Sequence, residues 1–317
     1  MTEPVSVPGH GSGSVEELLD EAFPRMLMVQ TTSACNSSCV FCPHRLYRDR
    51  LPRGEMDEAL FRRIVAEAGE HPDVSCINLF LMNEPLMDPR IVERVELAGQ
   101  LNPRAEISLW TNAVALSSKR GAALLASPLT SLGVSLHAHR AETYRRLTGR
   151  TDFHRVLRSL VRFIEERGAR RPDLALVLRF VSAAQMEPGE QEELLTFWRD
   201  ADVTLDIDDG YLGRAGNLAA PGAPAVPHRW LAGCQALGGP KQAHILFDGQ
   251  VVLCCMDYGR TTSLGDLGRQ SLAQVWRGPR RHGYLETLFG QQAADPEFLC
   301  SRCELALPGL PRRSRGP

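Results

Sequence analysis

The chain has 317 residues, 43% of them hydrophobic and 23% charged, with a formal net charge of −2. That length accommodates one large domain and a smaller one, and the near-neutral charge gives no electrostatic case for binding nucleic acid or an anionic membrane. No apolar run reaches the ~18 residues needed to span a bilayer, the N-terminal residues lack the apolar stretch of a secretory signal, and nine cysteines in such a chain point to metal or catalytic chemistry in the cytoplasm rather than to disulfides.

Residues 1–24 read as an N-terminal arm with one short helix around Val15–Ala22. Met26–Val29 is an apolar run of the kind that forms a buried parallel strand. It leads into a cysteine-rich loop, after which Asp57 is placed to cap a helix whose apolar face is Leu60, Phe61, Ile64, Val65 and Ala68. Further strands are expected at Cys76–Leu81, Ile107–Trp110, Leu132–Leu136, Leu174–Val181 and Val203–Ile207. Helices are expected between them, through Ile91–Ala98, Lys119–Ala126, Phe153–Ile164 and Glu187–Asp200. Six strand–helix repeats predict an α/β fold with a parallel sheet and right-handed crossovers. Six repeats are too few to close an eight-stranded barrel, so the expectation is an open, partial (β/α)6 TIM-like barrel over residues 25–213, with its chemistry at the C-terminal ends of the strands. Residues 214–232 are rich in Ala, Pro and Gly and read as a linker. Residues 233–307 then form a small cysteine-bearing domain, and residues 308–317 a Pro/Arg-rich disordered tail.

The loop after the first strand carries Cys35, Cys39 and Cys42, with three and then two residues between them. Thiolates this close in sequence can wrap one metal centre. A structural zinc site takes four ligands and an iron–sulfur cluster is normally held by four cysteines, so three thiolates point to a cluster with one open iron; a zinc knuckle is the rival reading. This CxxxCxxC, with Phe41 before its last cysteine, resembles the radical S-adenosylmethionine (SAM) family. The resemblance implies a [4Fe–4S] cluster on Cys35, Cys39 and Cys42 whose open iron takes the amino and carboxylate groups of SAM.

The ends of the later strands fit the same resemblance. Asn83-Glu84-Pro85 resembles the family's GGEP motif with its glycines replaced by Met82 and Asn83, and Thr111-Asn112 resembles the TN motif. Ser135 stands where the family often places a polar contact to SAM, and Arg179 has the guanidinium to pair with the methionine carboxylate. Each also has an ordinary reading, as a strand-end turn or a surface ion pair. His137 and His139 follow the fourth strand at the same mouth, and Cys76 reads as a small buried hydrophobe.

A second cysteine group comprises Cys234, Cys254, Cys255, Cys300 and Cys303. It resembles the Twitch form of the SPASM domain, which holds one auxiliary [4Fe–4S] cluster; a four-cysteine zinc site is the rival reading. The glycine turn before Cys254 favours Cys254, with Cys234, Cys300 and Cys303, as the ligand set. Alternation along a strand would then turn Cys255 to the other face. No cysteine follows Cys303, so a second auxiliary cluster is not expected.

The resemblance implies an enzyme that cleaves SAM to a 5′-deoxyadenosyl radical and abstracts hydrogen from a carbinol carbon of a small sugar- or aminocyclitol-type substrate. The outcome is oxidation by a dehydrogenase, if the auxiliary cluster takes the second electron, or inversion by an epimerase, if Cys255 returns a hydrogen atom. A peptide-modifying enzyme is the second expectation, and a non-enzymatic iron–sulfur or zinc protein the alternative of another class. An electron donor such as flavodoxin or ferredoxin is the expected protein partner.

Overall fold

The computed structural model describes residues 15–310 apart from 182, 209–212, 220–223, 225 and 237. Most of the expected arm, several positions of the expected linker, and all of the expected tail beyond residue 310 lie outside the described residues. Within them, six parallel strands follow one another in chain order: β1 (Met26–Val29), β2 (Cys76–Asn78), β3 (Glu106–Thr111), β4 (Ser131–Ser135), β5 (Ala175–Val181) and β6 (Thr204–Asp208). Sequential order combined with right-handed crossovers places every connecting helix on one face of the sheet. The burial pattern agrees. Leu27 and Val29 of β1, Leu132 and Val134 of β4, and Leu176, Leu178 and Phe180 of β5 are fully buried or nearly so, in one core with Phe61, Ile64, Val156 and Leu160 of the helices. The alternate positions, among them Met28, Trp110, Ser135, Arg179 and Asp206, are only half-buried and form the opposite, more polar face.

The helices are set by local chemistry. Asp57 caps the helix Glu58–Gly69, its carboxylate accepting from Leu60 N–H at 3.0 Å. Ser117 does the same for Ser118–Ala126 through Arg120 N–H. One helix, Ala141–Thr148, was not expected from the pattern; it precedes the long helix Phe153–Arg170 and is closed by Gly149 at φ 74°. The second strand is shorter than its apolar run. After Leu79 the chain leaves the ladder because Leu81 N–H is taken by the Asn83 side chain at 2.9 Å and Met82 adopts φ 55°.

The sheet does not stop at β1. The C-terminal region adds β8 (Gln242–Ile245), β9 (Gln250–Val252) and β10 (Ser263–Asp266) to the same sheet, giving the order β10-β9-β8-β1-β2-β3-β4-β5-β6. β8 is parallel to β1 and pairs Met28 with His244 and Val29 with Ile245, while β9 returns antiparallel through a turn at Gly249 (φ 87°). Ala243 and Ile245 are fully buried on the helix side, which explains why this short run docks on β1. A separate pair, β7 (Leu231–Cys234) and β11 (Ala306–Pro308), carries part of the second cysteine group. β6 and β10 remain as edges, so the barrel is open, as expected. Among the described residues no helix is long and apolar enough to cross a membrane.

On the polar face Gly133 lies directly beneath Trp110: a Cβ there would stand 2.3 Å from the indole ring. Gly133→Ala is therefore expected to destabilise the fold by about 1–3 kcal/mol through overpacking, read as a lower urea midpoint at unchanged slope.

Candidate functional site

The three-cysteine loop leaves β1 at the C-terminal end of the sheet and is tied down from several directions. Ser33 N–H donates to Gly54 O (2.9 Å), Glu84 N–H to Ala34 O (2.9 Å), and Ser38 and Val40 N–H to Thr148 O and Leu147 O (3.0 and 2.9 Å). The last two bonds use the end of the unexpected helix Ala141–Thr148, which explains its presence at the mouth. The Arg150 guanidinium donates to Asn36 O at 2.6 Å and is itself paired with Asp152. Burial pushes the Cys35 thiol up to about 12 and the Cys39 thiol higher still, with the neighbouring cysteines and Glu84 adding in the same direction. Thiols so desolvated become ligands only where a cationic centre replaces the proton. Three soft sulfur donors in one loop suit iron–sulfur chemistry. Among the described residues no three His, Cys, Asp or Glu side chains gather tightly enough to hold a single metal ion.

Glu84 and Asn112 organise this mouth. The Glu84 carboxylate is buried and accepts from Thr111 Oγ1 (2.6 Å), Asn112 N–H (2.7 Å) and Leu86 N–H (3.0 Å). Asn112 Nδ2 in turn donates to Asn36 Oδ1 (2.7 Å) and Ser37 Oγ (3.0 Å) inside the cysteine loop. The GGEP-like and TN-like segments are thus one hydrogen-bonded unit, and Glu84 is occupied by the protein itself. Asn83 Oδ1 accepts from Leu81 N–H, while its buried Nδ2 has no partner among the described residues. Pro85 opens the turn Pro85–Met87, which Glu84 caps. Three residues just past successive strand ends, Met82, Ala113 and His137, have φ of 55°, 58° and 66°. Left-handed backbone at non-glycine positions costs of order 1–3 kcal/mol each and collects at functional sites.

Other expected contacts fall out differently. Phe41 packs on Leu147, Val181 and the edge of His137, 4.6 Å between ring centroids. Burial drives His137 down to about 3, so it is a neutral imidazole that accepts from Val181 N–H at 3.2 Å and not a base. His139 stands against Phe197. Arg179, expected to face a carboxylate of SAM, is paired across strands with Asp206 at 2.9 Å and stacks on Trp110. Ser135 sits beside it in register. Cys76 is buried against Ser108 Oγ at 3.6 Å.

The second cysteine group assembles through β7 and β11, whose register sets Ala306 opposite Cys234 and so brings Cys234 to the turn Leu299–Arg302 with Cys300 and Cys303. Cys254 and Cys303 both lie within electrostatic reach of this set. Cys255 does not lie on a strand face as alternation predicts: β9 ends at Val252, so Cys254 and Cys255 occupy the turn beyond it and their thiols stay within hydrogen-bond reach of each other. Cys255 also packs against the cluster of Leu81, Leu246 and Val252. Its thiol also abuts His244. Three residues at this mouth were not singled out from the sequence: Tyr258, whose hydroxyl is 3.6 Å from Cys42 Sγ, His244, and Arg214. A cavity of about 500 Å³ opens on this flank, lined in part by Cys35, Met82, Leu246, Tyr258 and Arg260. It does not touch Asn83, Thr111, Asn112, Ser135 or Arg179.

Burial raises Glu84 to about 7 despite its three donors. A raised acid favours its protonated form in the fold, so Glu84's contribution to stability is complete below its ordinary value near 4.5 and declines as pH rises to about 7. Urea unfolding of Glu84→Gln across this range is expected to show a flatter pH slope than wild type. It should also show a loss of about 1–3 kcal/mol at low pH, because the amide cannot accept from all three donors.

The sequence profile of the Radical SAM superfamily matches residues 29–187, half of the chain. That of SPASM, an iron–sulfur cluster-binding domain, matches residues 234–304. The S-adenosyl-L-methionine-dependent 2-deoxy-scyllo-inosamine dehydrogenase of Niallia circulans is 21% identical over 285 residues, which span 90% of this chain and 94% of that enzyme. A GTP 3′,8-cyclase of Mycobacterium marinum is 33% identical over 184 residues, 57% of this chain and 49% of its own length. The structure of BtrN in complex with AdoMet and 2-DOIA aligns with a TM-score of 0.59 at 20% identity, over 90% of this chain and 92% of BtrN. Streptococcus suis SuiB bound to the precursor peptide SuiA aligns with a TM-score of 0.65 at 15% identity, over 92% of this chain and 72% of SuiB. At these identities the two structures speak for the fold alone. The match over the sheet and its cysteine loop gives the expectation drawn from cysteine spacing an independent footing: this chain belongs to the radical SAM superfamily, and a SPASM iron–sulfur domain follows its core.

Proposed function

We propose that this protein is a radical SAM dehydrogenase that oxidises a carbinol carbon of a small, polyhydroxylated, amino-substituted ring. Cys35, Cys39 and Cys42 would hold the SAM-binding [4Fe–4S] cluster, and Cys234, Cys254, Cys300 and Cys303 one auxiliary [4Fe–4S] cluster. The observation that carries the reading is the meeting of the two cysteine groups at one mouth, where Tyr258, from the turn after Cys254 and Cys255, reaches Cys42. When bound, these groups supply a 5′-deoxyadenosyl radical to take the hydrogen atom and an acceptor for the second electron; the carbinol then loses its hydroxyl proton and becomes a carbonyl. The chain's own part is to position and to exclude water. Glu84 and Asn112 fix the cysteine loop, Asn83 Nδ2 offers a free buried donor, and Met28, Met82 and Leu246 keep the floor apolar. The name of the Niallia circulans relative, with which similarity runs along nearly the whole chain, supports aminocyclitol oxidation. A one-electron donor such as flavodoxin or ferredoxin would serve it in the cytoplasm.

One observation favours a second outcome, inversion at the same carbon. Cys255 is a fifth thiol beyond the four that a [4Fe–4S] cluster takes, and it packs against Leu81, Leu246 and Val252; free of the cluster, it would return a hydrogen atom to a substrate radical.

After anaerobic reconstitution the chain is expected to hold about eight iron and eight sulfide, two [4Fe–4S] clusters. Cys35→Ala should fall to about four and form no 5′-deoxyadenosine, whereas Cys255→Ala should keep about eight. With 2-deoxy-scyllo-inosamine as probe, mass spectrometry separates the outcomes. A product lacking two hydrogens means oxidation; deuterium from heavy water in a product of otherwise unchanged composition means inversion. Wild-type turnover by Cys35→Ala would overturn the assignment.

A further inference from the structure

The stretch read as the start of a linker holds the most strained backbone among the described residues. Arg214, Ala215 and Gly216 adopt φ of 54°, 56° and 76° in succession. A left-handed conformation costs roughly 1–2 kcal/mol at each non-glycine residue, so surrounding bonds must enforce it. They do so from both cysteine groups. The Glu304 carboxylate, next to Cys303, accepts from Arg214 N–H at 2.9 Å and Ala215 N–H at 3.2 Å. Asn217 Nδ2 donates to Met256 O, next to Cys255, at 3.1 Å, and Asn217 Oδ1 accepts from Tyr47 of the helix after Cys42 at 2.6 Å. Gly216 completes the turn because its missing Cβ would stand 3.1 Å from Arg302.

What this turn presents is the Arg214 side chain. It is half-buried, yet among the described residues its guanidinium makes no hydrogen bond, ion pair or ring contact. The other withdrawn arginines are all engaged: Arg94 with Asp88, Arg150 with Asp152, Arg167 with Asp202, Arg281 over Trp276. The bonds of its turn to Glu304, Met256 and Tyr47 hold it between the two cysteine groups, and its charge reaches Cys255, Tyr258 and His137. Deeper on the same side, His244 is fully buried beside the Cys255 thiol. Five idle guanidinium donors on a half-buried side chain are a deficit that a ligand rich in oxygen fills.

We propose that Arg214 is a substrate-binding residue whose guanidinium forks onto two neighbouring oxygens of the substrate ring. This rests on the dehydrogenase reading above and deepens it: the ligand class is a cyclitol with adjacent oxygen substituents. A guanidinium stays protonated at any working pH, so Arg214 orients the ring and does not remove its proton.

The test uses the holoenzyme with both clusters and 2-deoxy-scyllo-inosamine as the probe, comparing wild type, Arg214→Lys and Arg214→Gln. KM is expected to rise about ten- to hundred-fold in Arg214→Gln, the loss of a charged hydrogen bond, and less in Arg214→Lys, which keeps the charge without the fork. The change should fall mainly on KM rather than kcat, with iron content and SAM affinity at wild-type values. KM within about twofold of wild type in Arg214→Gln overturns the assignment. If Arg214→Gln loses iron, Arg214→Lys decides by the same criterion. A wild-type enzyme that leaves the probe unchanged is a different failure: the aminocyclitol reading falls, and the Arg214 assignment with it.

Discussion

The Glu84 carboxylate sits almost out of reach of water, with Thr111, Asn112 and Leu86 donating to it. A carboxylate in that position is tolerable only because its acceptors are satisfied, and the satisfying groups come from the ends of two different strands. Through Asn112 the same network reaches Asn36 and Ser37 in the cysteine loop. The geometry of the three-cysteine loop is therefore set by a neighbour in the sheet and not by the loop's own sequence alone. The left-handed residues Met82, Ala113 and His137 at the adjoining strand ends show the strain this arrangement carries.

A second constraint joins the two halves of the chain. β8 lies beside β1, so the SPASM region shares the sheet of the core. This pairing places the turn with Cys254, Cys255 and Tyr258 over the cysteine loop and makes the 3.6 Å approach of Tyr258 to Cys42 possible. The mouth is thus bounded by the core on one side and by the C-terminal hairpin on the other, which is the enclosure that reactive intermediates require.

The features legible in the sequence were those whose signal is local. Cys35, Cys39 and Cys42 declare themselves by spacing, Asp57 by its place before an apolar helix face, and the parallel sheet by alternating strand and helix patterns. What escaped notice depends on contacts between distant segments. Arg214 opens an Ala/Pro/Gly-rich stretch, and nothing local reveals that Glu304 and Asn217 hold it in a left-handed turn. The helix Ala141–Thr148 has few apolar residues to mark it, and its value lies in the carbonyls of Leu147 and Thr148. Alternation puts Cys255 on a strand face, but β9 ends at Val252, before it. Arg179 carried a plausible charge, and its partner Asp206 lies on the next strand.

The position of β1 has a consequence for how the chain reaches this state. β1 is among the first elements made, yet one of its edges pairs with β2 and the other with β8, far along the sequence. Contacts so far apart give a high contact order and slow folding. During synthesis the growing core carries a hydrophobic strand with one row of backbone groups unpaired until Gln242–Ile245 has emerged. Such an edge is a template for pairing with another chain, so truncation before β8 removes more than a cluster-binding module: it leaves the centre of the sheet exposed.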